Sequence, residues 1–159
     1  MALGDAHPFL ALYPLMRYRR NNTNGIGSEA ELQQLLCDYL RLQHPSVIFR
    51  SDVASGLKLT IGQAARHKRL QSGRAFPDLF IYHPRHDKHG LALELKRPGS
   101  RLYKKDGSLV SDPHIAEQAA MLDRLQALGY EAHFTQSFDH ARYLIDSYLE
   151  DETAPLLEF

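Results

Sequence analysis

The chain has 159 residues, 43% of them hydrophobic and 24% charged, and its 19 Lys and Arg cancel 19 Asp and Glu to zero net charge. That composition excludes a disordered chain, and no apolar run approaches the ~20 residues that cross a membrane. Cys37 stands alone, which excludes a disulfide framework and a cysteine-based metal site and suits a reducing cytosol. The apolar stretch from Pro8 to Met16 is broken by Pro14 and followed, not preceded, by Arg17, Arg19 and Arg20. That order is wrong for a secretory signal, so a cytoplasmic, intracellular single domain is expected.

Turn formers from Arg19 to Ser28 set off an N-terminal arm, residues 1–27, whose role the sequence does not give. Ser28 is placed to cap a helix over residues 29–43, with Leu32, Leu35, Leu36, Tyr39 and Leu40 at helical spacing and Pro45 as the stop. Val47-Ile48-Phe49 reads as a strand running to Asp52. Thr60 caps a short helix from Gly62 to Leu70. Pro77-Asp78 opens a strand through Tyr82, and a loop from His83 to Gly90 leads to a returning strand, Leu91 to Lys96. Asp106-Gly107 is a hairpin signal, and Asp112-Pro113 opens a helix that runs to Leu128 and stops at Gly129. A strand from Tyr130 to Thr135, a helix over 139–150 and an acidic, flexible tail over 151–159 complete the reading. The order predicts an α/β domain over residues 28–150, with a mixed sheet flanked by helices.

The central strands carry the chemistry. Pairing residues 78–83 antiparallel with 91–96, about a turn near His86 to Lys88, puts Asp78 beside Lys96 with Glu94 one step along. Alternation places Asp78, Glu94 and Lys96 on one face and Leu79, Ile81, Leu91, Leu93 and Leu95 on the other. Two carboxylates within 8 Å or so of each other across a strand pair can share a divalent ion, and hard oxygens suit Mg²⁺. Such an ion acidifies a bound water and neutralises a phosphoryl group; Lys96 beside it would orient that water or stabilise developing charge. Glu-x-Lys alone is weak, because six lysines and 19 acids give about 0.7 acid-x-Lys triplets by chance. The bland alternative is an exposed strand face that keeps the sheet soluble.

With Pro77-Asp78 opening one strand, Glu94-Leu95-Lys96 closing the next and a glutamate on the first helix, residues 29–136 resemble the PD-(D/E)xK nuclease superfamily, and within it the VRR-NUC family. That family also carries a Gln on the following helix, then Leu and Gly, matched by Gln118, Leu125 and Gly129. The resemblance implies a restriction-endonuclease-like core and a Mg²⁺- or Mn²⁺-dependent nuclease. It implies a metal held by Asp78, Glu94 and the backbone carbonyl of Leu95, and assistance from Lys96, Gln118 and a helix glutamate. That glutamate is Glu29 or Glu31: periodicity does not choose between them, and the family's usual apolar residue three positions on, here Leu32, favours Glu29. Cuts leaving 5′-phosphate and 3′-hydroxyl ends are implied too. The short chain fits stand-alone phage-type or bacterial members better than the repair type.

Zero net charge hides a division. Residues 58–105 hold twelve Lys and Arg against Asp78, Asp87 and Glu94, a net of +9, and the rest of the chain carries −9. Lys58, Arg66, Lys68, Arg69, Arg74, Arg97, Arg101, Lys104 and Lys105 are the expected DNA-binding residues, contacting backbone and shape rather than reading bases. The competing reading is a solvated face. His83, His86 and His89 form an H-x2-H-x2-H run, but zinc is discounted in favour of a solvated or DNA-contacting loop. Cys37, Tyr130 and Phe134 are assigned to packing. The favoured function is a structure-selective DNA endonuclease acting on junction, flap or nicked DNA, working as a homodimer and not at a membrane. The alternative is a nucleic-acid-binding module or subunit that keeps the fold without catalysis.

Overall fold

The computed structural model describes residues 26–52 and 58–150; the expected arm before Ile26 and the tail from residue 151 lie outside them. The elements are α1 (Glu29–Gln43), β1 (Phe49–Ser51), α2 (Ile61–Arg69), β2 (Leu79–Ile81), β3 (Leu91–Leu95), α3 (Pro113–Ala127), β4 (Glu131–Thr135) and α4 (Phe138–Leu149). Each helix begins where a side chain satisfies the free N–H groups of its first turn. Ser28 and Glu31 form a reciprocal capping box on α1, and Thr60 and Gln63 form another on α2. Asp112 accepts from His114 and Ile115 with Pro113 at the first position of α3, and Ser137 caps α4. β1 is shorter than the expected 47–52. Its extended backbone still continues at both ends, Ile48 O accepting from Tyr82 N and Asp52 N donating to Asp78 O, each at 2.8 Å.

The sheet order is β1-β2-β3-β4, with β2 antiparallel to both β1 and β3 and β4 parallel to β3. Both faces of β3 are covered, which is why all five of its residues are buried. On one face Leu79, Ile81, Leu91, Leu93 and Leu95 pack with Leu32, Leu36 and Leu40 of α1 and Ala141, Ile145 and Tyr148 of α4. On the other, Ala92 and Ala132 pack under Met121, Leu122 and Leu125 of α3. Leu93 has no exposed surface, so Leu93→Ala leaves a cavity in the larger cluster. It is expected to lower unfolding free energy by about 3 kcal/mol in a urea titration.

The register differs from the expected one. Leu79 pairs with Leu93 and Ile81 with Leu91, which sets Asp78 level with Glu94, one position past the ladder, rather than with Lys96. The cause is the loop: a tight turn at His86 and Asp87, both with positive φ, joins Arg85 to Lys88. The outgoing arm from Ile81 then takes one residue more than the returning arm to Leu91. The slip of two residues preserves parity, so the face assignments stand. Gly90 is required where the arms rejoin, because a Cβ there would lie 2.5 Å from the Ile81 carbonyl oxygen.

Candidate active site

Asp78 is fixed from three directions. Its Oδ2 accepts the Leu95 N–H at 2.8 Å, reaching across to β3. Its backbone oxygen accepts from Asp52 N at 2.8 Å, Ser51 Oγ at 3.0 Å and Gln33 Nε2 at 3.4 Å, which ties the residue to β1 and α1. Opposite it, Glu94 is 2% exposed and Lys96 8% exposed, so the pair is not a solvating strand face. Glu94 Oε1 accepts from Lys96 Nζ at 2.9 Å and from Gln118 Nε2, projected by the buried face of α3. Lys96 N in turn donates to Thr135 O at 2.8 Å, continuing the β3–β4 pairing. A carboxylate this buried resists ionisation. Desolvation, then the Asp78 charge, lift Glu94 to about 8, against the opposing pull of Lys96.

The two helix glutamates are separated by geometry. Glu31 is committed to the N-terminus of α1, its Oε2 accepting from Gly27 N at 2.6 Å and Ser28 N at 3.2 Å. Glu29 faces the strands: its Oε1 accepts the Arg97 N–H at 3.0 Å, and its charge raises the Glu94 pKa. Gln33, one helical turn beyond Glu29, is a positioning residue the sequence reading passed over. Its Nε2 binds Ser51 Oγ at 2.6 Å and Asp52 O at 2.9 Å. The i, i+4 spacing from Glu29 was the available signal.

Among the described residues no three His, Cys, Asp or Glu side chains form a metal-holding group by themselves. A cation here would rely on Asp78 and Glu94, with the Leu95 carbonyl and waters completing the set. The residues fit that role. The donors are hard oxygens, and Gln118 Oε1 is buried with no hydrogen-bond partner beside the Glu94 carboxylate, an acceptor that a hydrated ion can satisfy.

All nine expected DNA-contacting residues are exposed. Lys58, Arg66, Lys68, Arg69 and Arg74 lie on or beside α2, which buries none of its residues. His67 on α2 approaches Asp52 at 3.9 Å, next to the Asp78 backbone, so α2 borders the site. Arg97, Arg101, Lys104 and Lys105 lie on the segment leaving β3. Arg85 and Lys88 sit instead at the far turn of β2 and β3, so the +9 stretch is divided between two ends of the sheet. The side chains of the His residues of that turn are exposed or half-exposed. His83 O accepts from Tyr148 Oη at 2.7 Å, and the rings of His86 and His89 lie edge-on to Tyr148 and Tyr130. Cys37 is buried, and burial pushes its thiol pKa up. Tyr130 and Phe134 pack on the α3 cluster.

A capped helix, an antiparallel pair bearing Asp78 and Glu94-Leu95-Lys96, and a helix returning to a parallel strand define a restriction-endonuclease-like α/β core. Among solved structures, a VRR_NUC domain protein superposes with a TM-score of 0.51 over 76% of this chain and 87% of its own, at 22% identity. That likeness shows a common fold. The sequence matches no protein-family model, and no curated protein matches it. Among the described residues no helix is long and apolar enough to cross a membrane.

Proposed function

We propose that the chain is a Mg²⁺- or Mn²⁺-dependent endonuclease that hydrolyses DNA phosphodiester bonds, selecting junctions, flaps or nicks rather than a sequence. The observation that carries this reading is the buried cluster of Glu94, Lys96 and Gln118 level with Asp78. Burying an acid and a lysine costs stability, and a strand needing only to pack would place apolar residues there. The intact set also argues against a decayed binding module, which would have lost an acid or the lysine.

Asp78, Glu94 and the Leu95 carbonyl would hold the ion, which when bound acidifies water and offsets phosphoryl charge. Lys96 Nζ, 2.9 Å from Glu94, is placed to hold the attacking water or the charge developing on phosphate. Gln118 fixes the Glu94 rotamer, and Glu29 stands at the edge of the site for a water or a second ion. Severing both strands of a duplex or junction calls for two copies of the chain.

The test is incubation of labelled duplex, flap and four-way-junction DNA with Mg²⁺ or Mn²⁺. Cleavage leaving 5′-phosphate and 3′-hydroxyl ends is expected; no cut substrate, with DNA still bound, favours the binding module instead. The same assay separates the helix glutamates. Glu31→Ala is expected to lose about 1 kcal/mol of stability with cleavage unchanged, and Glu29→Ala to keep its stability and cut ~10²-fold more slowly.

A further inference from the structure

The segment between β3 and α3 is a built tongue. Tyr103 bridges to Leu109, Lys104 N donates to Ser108 O at 2.7 Å, and Gly107, at φ +83°, closes the tip by donating to Lys104 O at 3.1 Å. The tip is braced by Asp106, whose Oδ1 accepts from Ser108 N at 2.9 Å and Ser108 Oγ at 2.6 Å. The root is anchored as well. Leu102 is buried, Val110 N donates to Leu102 O at 3.0 Å, and Gln136 Nε2 holds both Ser100 O and Ser100 Oγ beside the end of β4.

On this fixed support Tyr103 is 49% exposed, and among the described residues its ring has no stacking partner and its hydroxyl no hydrogen bond. Arg101, Lys104 and Lys105 flank it, all exposed and without an ion-pair partner among the described residues. The one acid at the tip, Asp106, is already taken up by Ser108. The tongue leaves the sheet just past Lys96 and Arg97, whose N–H donates to Glu29 Oε1, so its root adjoins the carboxylates.

The geometry points to a binding site for an unpaired nucleotide: Tyr103 stacks on an exposed base while Arg101, Lys104 and Lys105 hold the phosphates on either side of it. One ring among three unneutralised cations is a poor match for an apolar protein surface, which would strip those cations of water without pairing them. It matches a polyanion whose bases present open faces, which a duplex does not, its bases being stacked on one another already. The site therefore makes the nuclease selective for a strand discontinuity, and in that respect it rests on the proposed nuclease reading.

The test is fluorescence anisotropy with the full chain in EDTA, using a labelled blunt duplex and the same duplex bearing a single-stranded oligothymidine arm of about ten nucleotides. The wild type is expected to bind the armed duplex about ten-fold more tightly. Tyr103→Ala is expected to erase that preference, and Tyr103→Phe to keep it, because the ring and not the hydroxyl stacks. Lys104→Ala/Lys105→Ala is expected to weaken the armed complex more than the blunt one and to flatten its salt dependence. An arm of ribonucleotides distinguishes DNA from RNA as the source of the base. If Tyr103→Ala keeps the wild-type preference, or the wild type shows none, the tongue site is wrong while the nuclease reading stands. If the wild type binds neither DNA, both readings fall.

Discussion

Lys96→Ala is expected to slow DNA cleavage by about 10³-fold at saturating Mg²⁺ with little change in DNA affinity. Lys96 is 8% exposed, so water that enters in place of its ammonium is scarce and poorly oriented, and a preorganised cation in such a setting is worth several kcal/mol to a transition state. Lys96 is bonded to Glu94 rather than exposed to a DNA groove, so its loss falls on the rate and not on binding. Asp78→Ala is expected to be at least as damaging, because it removes one of two carboxylates that an ion would use. The assay is single-turnover cleavage of whichever substrate the wild type cuts best. Either variant cutting at the wild-type rate would show that the cluster is not where the chemistry occurs.

Glu94→Gln is expected to stabilise the metal-free protein at pH 8 and to change it little at pH 5. With the folded-state pKa raised from 4.5 to about 8, the folded protein keeps a proton that the unfolded chain has released anywhere between those values. Stability therefore falls as pH rises through that window, by up to about 1.4 kcal/mol per unit, and levels off above it. Glutamine cannot ionise, so the variant escapes that loss and still accepts from Lys96 and Gln118. Melting curves in EDTA are expected to give the variant a Tm roughly 5–10 °C above wild type at pH 8, narrowing towards pH 5. Addition of Mn²⁺ is expected to raise the wild type and not the variant. A gap that widens towards acid pH would mean that Glu94 is ionised throughout and that its burial has been misjudged.

The elements were legible in the sequence because each is punctuated locally. Ser28 with Glu31 and Pro45 bounds α1 at 29–43 as expected, and Asp112-Pro113 with Gly129 bounds α3. The same Ser-x-x-Glu signature could have settled the choice between the two glutamates, since an acid spent on its own helix cap is turned away from the strands. The register was less legible, because a turn centred at His86-Asp87 and one extra residue between Ile81 and Arg85 each shift the pairing by one and leave no compositional mark. Alternation gave the face of Glu94 and Lys96 but not its burial, which depends on α3 crossing that face from some twenty residues downstream. The division of the basic stretch was hidden for the same reason: Arg85 and Lys88 are near Lys96 in sequence but at the other end of the strands.

Calorimetric titration of Mn²⁺ into the metal-free protein at pH 7, run in buffers of differing ionisation enthalpy, tests most directly whether Asp78 and Glu94 act together on a cation. Uptake of a single ion by the wild type, with a proton released as Glu94 ionises, and none by Asp78→Ala or Glu94→Gln, is the expected result. Equal uptake by wild type and both variants, or none by the wild type at millimolar Mn²⁺, would contradict it.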